Sequence, residues 1–187
     1  MKNNRKGDNK NMKIVVLNGS PRKGGNTEIM AQAFTKGAER KGHQVVNFHV
    51  GIMKIRGCMA CEYCFSHNGE CAQKDDMTQV YAELKDADMV VFASPIYWFD
   101  ITAQLKAVID RLYVGAAVGF HITKAALLLD AAGGEDVFEA AKTQYHAMTD
   151  YVKWEDKGVI AIYGMLDKGN MSACPKLAEV EALGESL

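Results

Sequence analysis

The chain has 187 residues, of which 48% are apolar and 24% charged, which is enough for one domain with a buried core. Its formal net charge of -1 argues against a nucleic-acid partner. No apolar run approaches the roughly 18 residues of a membrane span, so we expect no membrane partner either. The Lys- and Asn-rich start lacks a secretory signal. We therefore predict a flexible extension over 1–12 and one cytoplasmic domain over 13–187.

Short apolar runs alternate with helical patterns along the whole domain. Continuous runs of this kind suit strands that are covered on both faces, as in a parallel sheet. Such an alternation predicts a doubly wound α/β fold, with five parallel strands and helices on both faces. The predicted strands lie at 14–17, 44–50, 89–93, 125–129 and 159–163, and the predicted helices at 26–41, 76–86, 99–113, 135–152 and 174–186.

The loop after the first strand has the chemistry of a phosphate site. It reads Gly19-Ser20-Pro21-Arg22-Lys23-Gly24-Gly25-Asn26-Thr27 and leads into a helix. Glycines let backbone N–H groups converge on an anion, and the helix start adds its positive dipole end. Hydroxyl, amide and guanidinium donors come from Ser20, Asn26, Thr27 and Arg22. The Lys-Ser/Thr of a Walker A loop is missing, and an ordinary capped turn is the alternative.

Four cysteines follow the second strand, in a loop at 56–74 without clear periodicity. Their spacing is Cys58-x2-Cys61-x2-Cys64-x6-Cys71. Clustered cysteines in a chain without a secretory signal indicate metal binding or redox work. This compact spacing favours an iron–sulfur cluster over structural zinc, which usually takes two separated knuckles. Zinc and free or redox-active thiols remain the alternatives.

A second loop, Ser94-Pro95-Ile96-Tyr97-Trp98, follows the third strand. Its aromatic and aliphatic side chains suit a flat ring. With strand order 2-1-3-4-5, the first and third strands meet where the order reverses, which is where α/β sheets bind ligands. Both loops would therefore lie at one site. Alternatively, Tyr97 and Trp98 cover the core or an interface between subunits.

These two loops, followed by Gln104-Leu105-Lys106-x-x-x-Asp110-Arg111, resemble the NAD(P)H-dependent FMN reductase branch of the flavodoxin-like superfamily. The resemblance implies a flavodoxin-like sheet and an FMN site. By this resemblance, the phosphate is held by Ser20, Arg22, Asn26 and Thr27. The ring is contacted by Pro95, Ile96, Tyr97 and Trp98. A third loop with Gly133 and Gly134 would line the other side.

The cysteine loop resembles that of the iron–sulfur flavoprotein subgroup of the same family. By that resemblance, Cys58, Cys61, Cys64 and Cys71 ligate a [4Fe–4S] cluster that exchanges electrons with FMN. Because the loop leaves the sheet on the side of the flavin loops, we expect the cluster close to the flavin, within one chain or across a dimer.

The function that follows is an FMN-dependent oxidoreductase. NAD(P)H would be the donor, and a small molecule or a protein the acceptor: a quinone, a flavin, a nitro or azo compound, or an iron–sulfur centre. The flavin does the chemistry, so no protein side chain is predicted to be catalytic. The resemblance also implies a homodimer or a dimer of dimers. The alternatives are a flavodoxin-like electron carrier and a thiol- or metal-binding redox switch.

Overall fold

The computed structural model describes residues 11–187, so the extension predicted for 1–12 falls largely outside the described residues. Five strands form a parallel sheet in the order β2-β1-β3-β5-β6, which is the predicted order of the long strands. A sixth, two-residue strand, β4, pairs antiparallel with the end of β3. The strands are β1 (Lys13–Asn18), β2 (Gln44–Phe48), β3 (Met89–Tyr97), β4 (Asp100–Ile101), β5 (Lys124–Asp130) and β6 (Glu155–Ile162).

Helices cover both faces of the sheet. The helices are α1 (Asn26–Arg40), α2 (Tyr63–Ser66), α3 (Met77–Leu84), α4 (Ala103–Arg111), α5 (Val114–Val118), α6 (Glu139–Val152) and α7 (Leu177–Glu185). Side chains alternate across β1, so that Val15 and Leu17 pack with α3, α4 and α6, while Ile14 and Val16 pack with α1 and α7. The central strands are therefore apolar on both faces. Within residues 11–187, every helix is too short or too polar to cross a membrane.

The segment between β3 and α4 differs from its prediction. We predicted a strand ending at 93 and a helix over 99–113, but β3 continues to Tyr97 and α4 begins at Ala103. The reason is a tight hairpin, in which Trp98 and Phe99 adopt positive φ angles of 49° and 70°. The Thr102 side chain then accepts a hydrogen bond from the Leu105 N–H and caps the helix.

Candidate functional site

The candidate site is a cavity of about 150 Å³ at the carboxyl ends of the parallel strands. The loops after β1 and β6, the end of β3, and the end of β5 with the loop that follows it all contribute to the cavity. Strand order reverses between β1 and β3, so the cavity lies at the switch point where α/β sheets bind ligands. Its lining residues are Ser20, Arg22, Gly25, Asn26, Thr27, Pro95, Ile96, Tyr97, Asp130, Ala131, Ala132, Met165, Leu166 and Lys168.

One end of the cavity is formed by the start of α1. The helix begins at Asn26, and its first N–H groups have no partner within the helix. Ser20 is buried, and its Oγ accepts a hydrogen bond from the Arg22 N–H at 3.2 Å, which fixes the turn. Gly24 has a φ of +63°, a conformation that favours glycine. Open N–H groups beside the Arg22 guanidinium can bind an anion.

A buried carboxyl that was not among the predicted site residues also lines the cavity. Asp130 ends β5 and is only 4% exposed. The Thr27 hydroxyl donates a hydrogen bond to its Oδ1. Burial raises the pKa of Asp130 to about 6, although the Thr27 hydrogen bond and the Arg22 charge both lower it. Its position directly after Leu127-Leu128-Leu129, at the carboxyl end of a predicted strand, was the available signal.

Asn26 holds the loop after β6 against the start of α1. Its Nδ2 donates to the carbonyls of Met165 and Asp167, at 3.1 and 2.9 Å. Its Oδ1 accepts from the N–H groups of Gly169 and Met171, at 2.9 and 3.1 Å. The side-chain amide is thus fully used within the protein. A contact between Asn26 and an anion would therefore come from its backbone N–H.

Replacing Asn26 by Ala should release this loop. The change leaves the Met165 carbonyl and the N–H groups of Gly169 and Met171 without partners, so we expect a loss of about 1–3 kcal/mol in unfolding free energy. Hydrogen exchange should speed up at Gly169 and Met171. Gln32→Ala, an exposed position on the same helix, is the matched control. Unchanged exchange at both amides in Asn26→Ala would contradict the assignment.

Thr102 joins the two predicted loops. Its Oγ1 donates to the Gly19 carbonyl at 2.8 Å, and its N–H donates to the Ser94 Oγ at 3.0 Å. Gly51 packs against the loop after β1 so closely that a Cβ at this position would lie 2.0 Å from the Ser20 carbonyl oxygen. Thr102 therefore holds the two loops together, and Gly51 packs against the loop after β1.

The other end of the cavity is apolar. Pro95, Ile96 and Tyr97 line it, and Tyr97 is 42% exposed. The remaining predicted ring contacts lie elsewhere: Trp98 is 93% exposed at the hairpin tip and outside the lining. Asp130, Ala131 and Ala132 line the cavity in place of the exposed Gly133 and Gly134. The role of Trp98, Gly133 and Gly134 as flavin contacts stays a prediction.

The four cysteines of the loop line a second, smaller cavity of about 30 Å³. Cys58 and Cys61 are exposed, while Cys64 and Cys71 are half-buried. Burial raises the pKa of the Cys64 thiol, and negative charge on the other three cysteines raises it further. Within residues 11–187, no three His, Cys, Asp or Glu side chains are grouped to hold a metal ion. The thiols converge on one cavity without forming a ready site for a single ion.

A buried arginine, Arg111, lines this second cavity. The Arg111 side chain is 1% exposed, and its Nη1 contacts both carboxylate oxygens of Asp75, at 2.7 and 2.6 Å. Its Nη2 donates to the Cys71 Sγ at 3.3 Å. Burial alone would raise the pKa of Asp75, but the hydrogen bonds from Arg111 and from the Arg56 and Met77 N–H groups, together with the Arg111 charge, outweigh burial and lower that pKa. This ion pair fixes the cysteine loop to α4.

The two cavities lie at opposite ends of α4. The first adjoins the segment before the helix, and the second is lined by Arg111, Tyr113 and Val114 at and beyond its end. Nine residues of α-helix rise by about 12 Å from first to last. No lining residue is shared between the cavities. Each cavity is thus lined by its own residues, and the expected closeness of the cysteine site to the ring loop stays a prediction.

Comparison with known proteins identifies relatives of the chain. Residues 12–155 match the family model described as NADPH-dependent FMN reductase. An iron-sulfur flavoprotein of Archaeoglobus fulgidus is 42% identical over 101 residues, which is 54% of this chain and 46% of that protein. A second iron-sulfur flavoprotein of the same organism is 35% identical over 162 residues, covering 86% of this chain and 80% of the relative. In the first of these two relatives, and in four further iron-sulfur flavoproteins, the aligned part spans about half the length of the relative.

Solved structures share the fold at low sequence identity. An NAD(P)H:quinone oxidoreductase from Methanothermobacter marburgensis superposes with a TM-score of 0.67 at 23% identity, covering 95% of this chain and 96% of the other. An FMN-dependent NADH-azoreductase from Bacillus anthracis, in complex with FMN, gives a TM-score of 0.68 at 14% identity, covering 93% and 98%.

Proposed function

Because the chain belongs to the NADPH-dependent FMN reductase family, we propose that it is an FMN-dependent oxidoreductase that passes electrons from NAD(P)H to an acceptor. The observation that carries the proposal is the cavity at the switch point of the sheet. It joins an anion-binding end to an apolar end, as a flavin mononucleotide requires. Bound FMN would supply the hydride and electron chemistry.

The side chains present fit a single phosphate. Arg22 and Lys168 bring two cations to the cavity, and Ser20 brings a hydroxyl beside the start of α1. Pro95, Ile96 and Tyr97 offer an apolar surface to the ring. At about 150 Å³, however, the cavity is smaller than the roughly 300 Å³ or more of a typical small-molecule pocket. It would therefore hold part of FMN, with the ring at its open side next to Tyr97.

This open side supports the proposal of a homodimer or a dimer of dimers. Trp98 and Phe99 project from the hairpin beside Tyr97, and both are largely exposed. A second copy would cover these aromatic side chains and complete the ring site. Light scattering of the FMN-bound protein at micromolar concentration should give at least twice the chain mass. A monomer mass would remove the dimer proposal and leave the FMN site in place.

We further propose that Cys58, Cys61, Cys64 and Cys71 hold a [4Fe–4S] cluster. All four line one cavity, and such a cluster takes one thiolate at each iron. Electron exchange with FMN would occur within one chain or between the subunits of the dimer. A redox-switch role for the four thiols without a cluster is the second candidate.

The cluster proposal predicts iron that depends on the cysteine loop. Protein prepared without oxygen and supplied with iron should contain about four irons per chain, as one [4Fe–4S] centre requires. Cys61→Ser should lose most of that iron and keep its FMN, because no cysteine lines the flavin cavity. Cys174→Ser is the matched control, because Cys174 lies outside the loop and should leave iron unchanged. Iron at background in the wild-type protein would refute the cluster and favour the thiol switch.

The acceptor and the location remain proposals. The NAD(P)H:quinone oxidoreductase and the azoreductase share only the fold with this chain. We propose a quinone, a flavin, a nitro or azo compound or an iron–sulfur centre as acceptor, in the cytoplasm. The test is to measure the oxidation of NADH and of NADPH by the FMN-bound protein with each acceptor class in turn. The rates distinguish the acceptor classes and the two donors. No turnover with any class would favour the electron-carrier alternative.

A further inference from the structure

Asp130 has no part in the proposed binding of FMN, yet it lines the cavity that would hold the phosphate. Its carboxyl is buried and bound to the Thr27 hydroxyl, at the second residue of α1. A buried carboxylate and a phosphate in one small cavity repel each other, because like charges at short distance cannot both be stabilised. One of them must be neutralised when the cavity fills.

The charged residues around Asp130 indicate whether the carboxylate or the phosphate is neutralised. Arg22, on the loop after β1, and Lys168, on the loop after β6, are the charged residues that line the cavity besides Asp130. The end of β3 contributes only neutral side chains to the lining, Pro95 to Tyr97. Both cations are exposed and can turn toward a phosphate, whereas the Asp130 carboxyl is buried and held by the Thr27 hydroxyl. The Arg22 charge that now acts on the Asp130 carboxylate would then be turned to the phosphate.

We propose that Asp130 takes up one proton when the phosphate of FMN enters the cavity. The proposal rests on the proposed FMN site. A proton from the solvent converts the carboxylate to a neutral carboxylic acid, and no other bond forms or breaks. The acid O–H can then donate to the Thr27 Oγ1, so the Thr27 hydroxyl is free to donate to the phosphate. Asp130 thereby turns Thr27 from a donor to the protein into a donor to the ligand.

A calorimetric experiment tests this proton uptake. FMN is titrated into the FMN-free protein at pH 8, in buffers of different ionisation enthalpy. The phosphate, with a second pKa near 6, is already doubly charged there. We expect the wild-type protein to take up a proton fraction approaching one per FMN, and Asp130→Asn to take up close to none. Between pH 7 and 8, wild-type affinity should fall by up to tenfold, and that of Asp130→Asn should stay nearly constant.

Two results would overturn the proposal. One is equal proton uptake by the wild-type protein and Asp130→Asn. The other, which needs no variant, comes from an NMR titration of the Asp130 carboxyl carbon: an ionised carboxyl at pH 8 with FMN bound contradicts uptake, and a protonated one supports it. Riboflavin, which lacks the phosphate, should cause no protonation. A wild-type protein that binds no FMN would instead refute the FMN site itself.

Discussion

Arg22→Ala should weaken FMN binding roughly 10- to 100-fold, because a hydrogen bond to a charged group contributes about 1.5–3 kcal/mol. Arg22 lines the cavity and belongs to the loop that leads into α1, where we place the phosphate. Affinity for riboflavin, which has no phosphate, should therefore change little. Quenching of flavin fluorescence in titrations with both ligands measures the two affinities.

Lys23→Ala is the matched control for Arg22→Ala. Lys23 is the next residue and carries the same charge, but it is exposed and does not line the cavity. Its removal should lower FMN affinity by less than about threefold, since exposed charges are screened by salt. Equal losses for FMN and riboflavin in Arg22→Ala would contradict the assignment of the phosphate end.

Arg111→Leu should lower the free energy of unfolding by roughly 3–5 kcal/mol. The change removes one partner of a buried ion pair and leaves the Asp75 carboxylate, whose side chain is 8% exposed, without its cation. Because Asp75 follows the cysteine loop, we also expect the loop to loosen and Cys71 to react faster with an alkylating reagent. Denaturant unfolding of the FMN-free protein, followed by circular dichroism, measures the stability.

The exposed pair on the same helix provides the control. Lys106 and Asp110 are four residues apart, and their side chains are 45% and 43% exposed. Asp110→Asn should cost no more than about 0.5 kcal/mol, as is usual for such surface pairs. A loss below about 1 kcal/mol in Arg111→Leu would show that the buried pair does not anchor the loop.

The sequence was informative wherever one local pattern determined the structure. The apolar runs at 14–17 and 125–129 predicted buried strands because both faces of the central sheet are covered. The phosphate loop was recognisable because glycines, polar donors and a helix start are adjacent in the chain. Strand order and the meeting of the two loops followed from the resemblance and from the switch-point rule.

Contacts between distant segments could not be predicted in this way. Asp130 reaches Thr27 across 103 positions of the chain, and Asn26 binds a loop about 140 positions away. Neither pairing leaves a periodic signal in the sequence. Arg111 was visible in the family motif, but its burial against Asp75 depends on how α4 packs on the cysteine loop. The hairpin at Trp98 was missed because its positive φ angles occur without glycine.

The measurement that most directly tests the FMN oxidoreductase is anaerobic mixing of the FMN-bound protein with NADH or NADPH, followed through the visible flavin band. We predict that the band bleaches with at least one of the two donors, and that it returns when an acceptor is added. A flavin that stays oxidised with both donors, although dithionite reduces it, would contradict the proposed function.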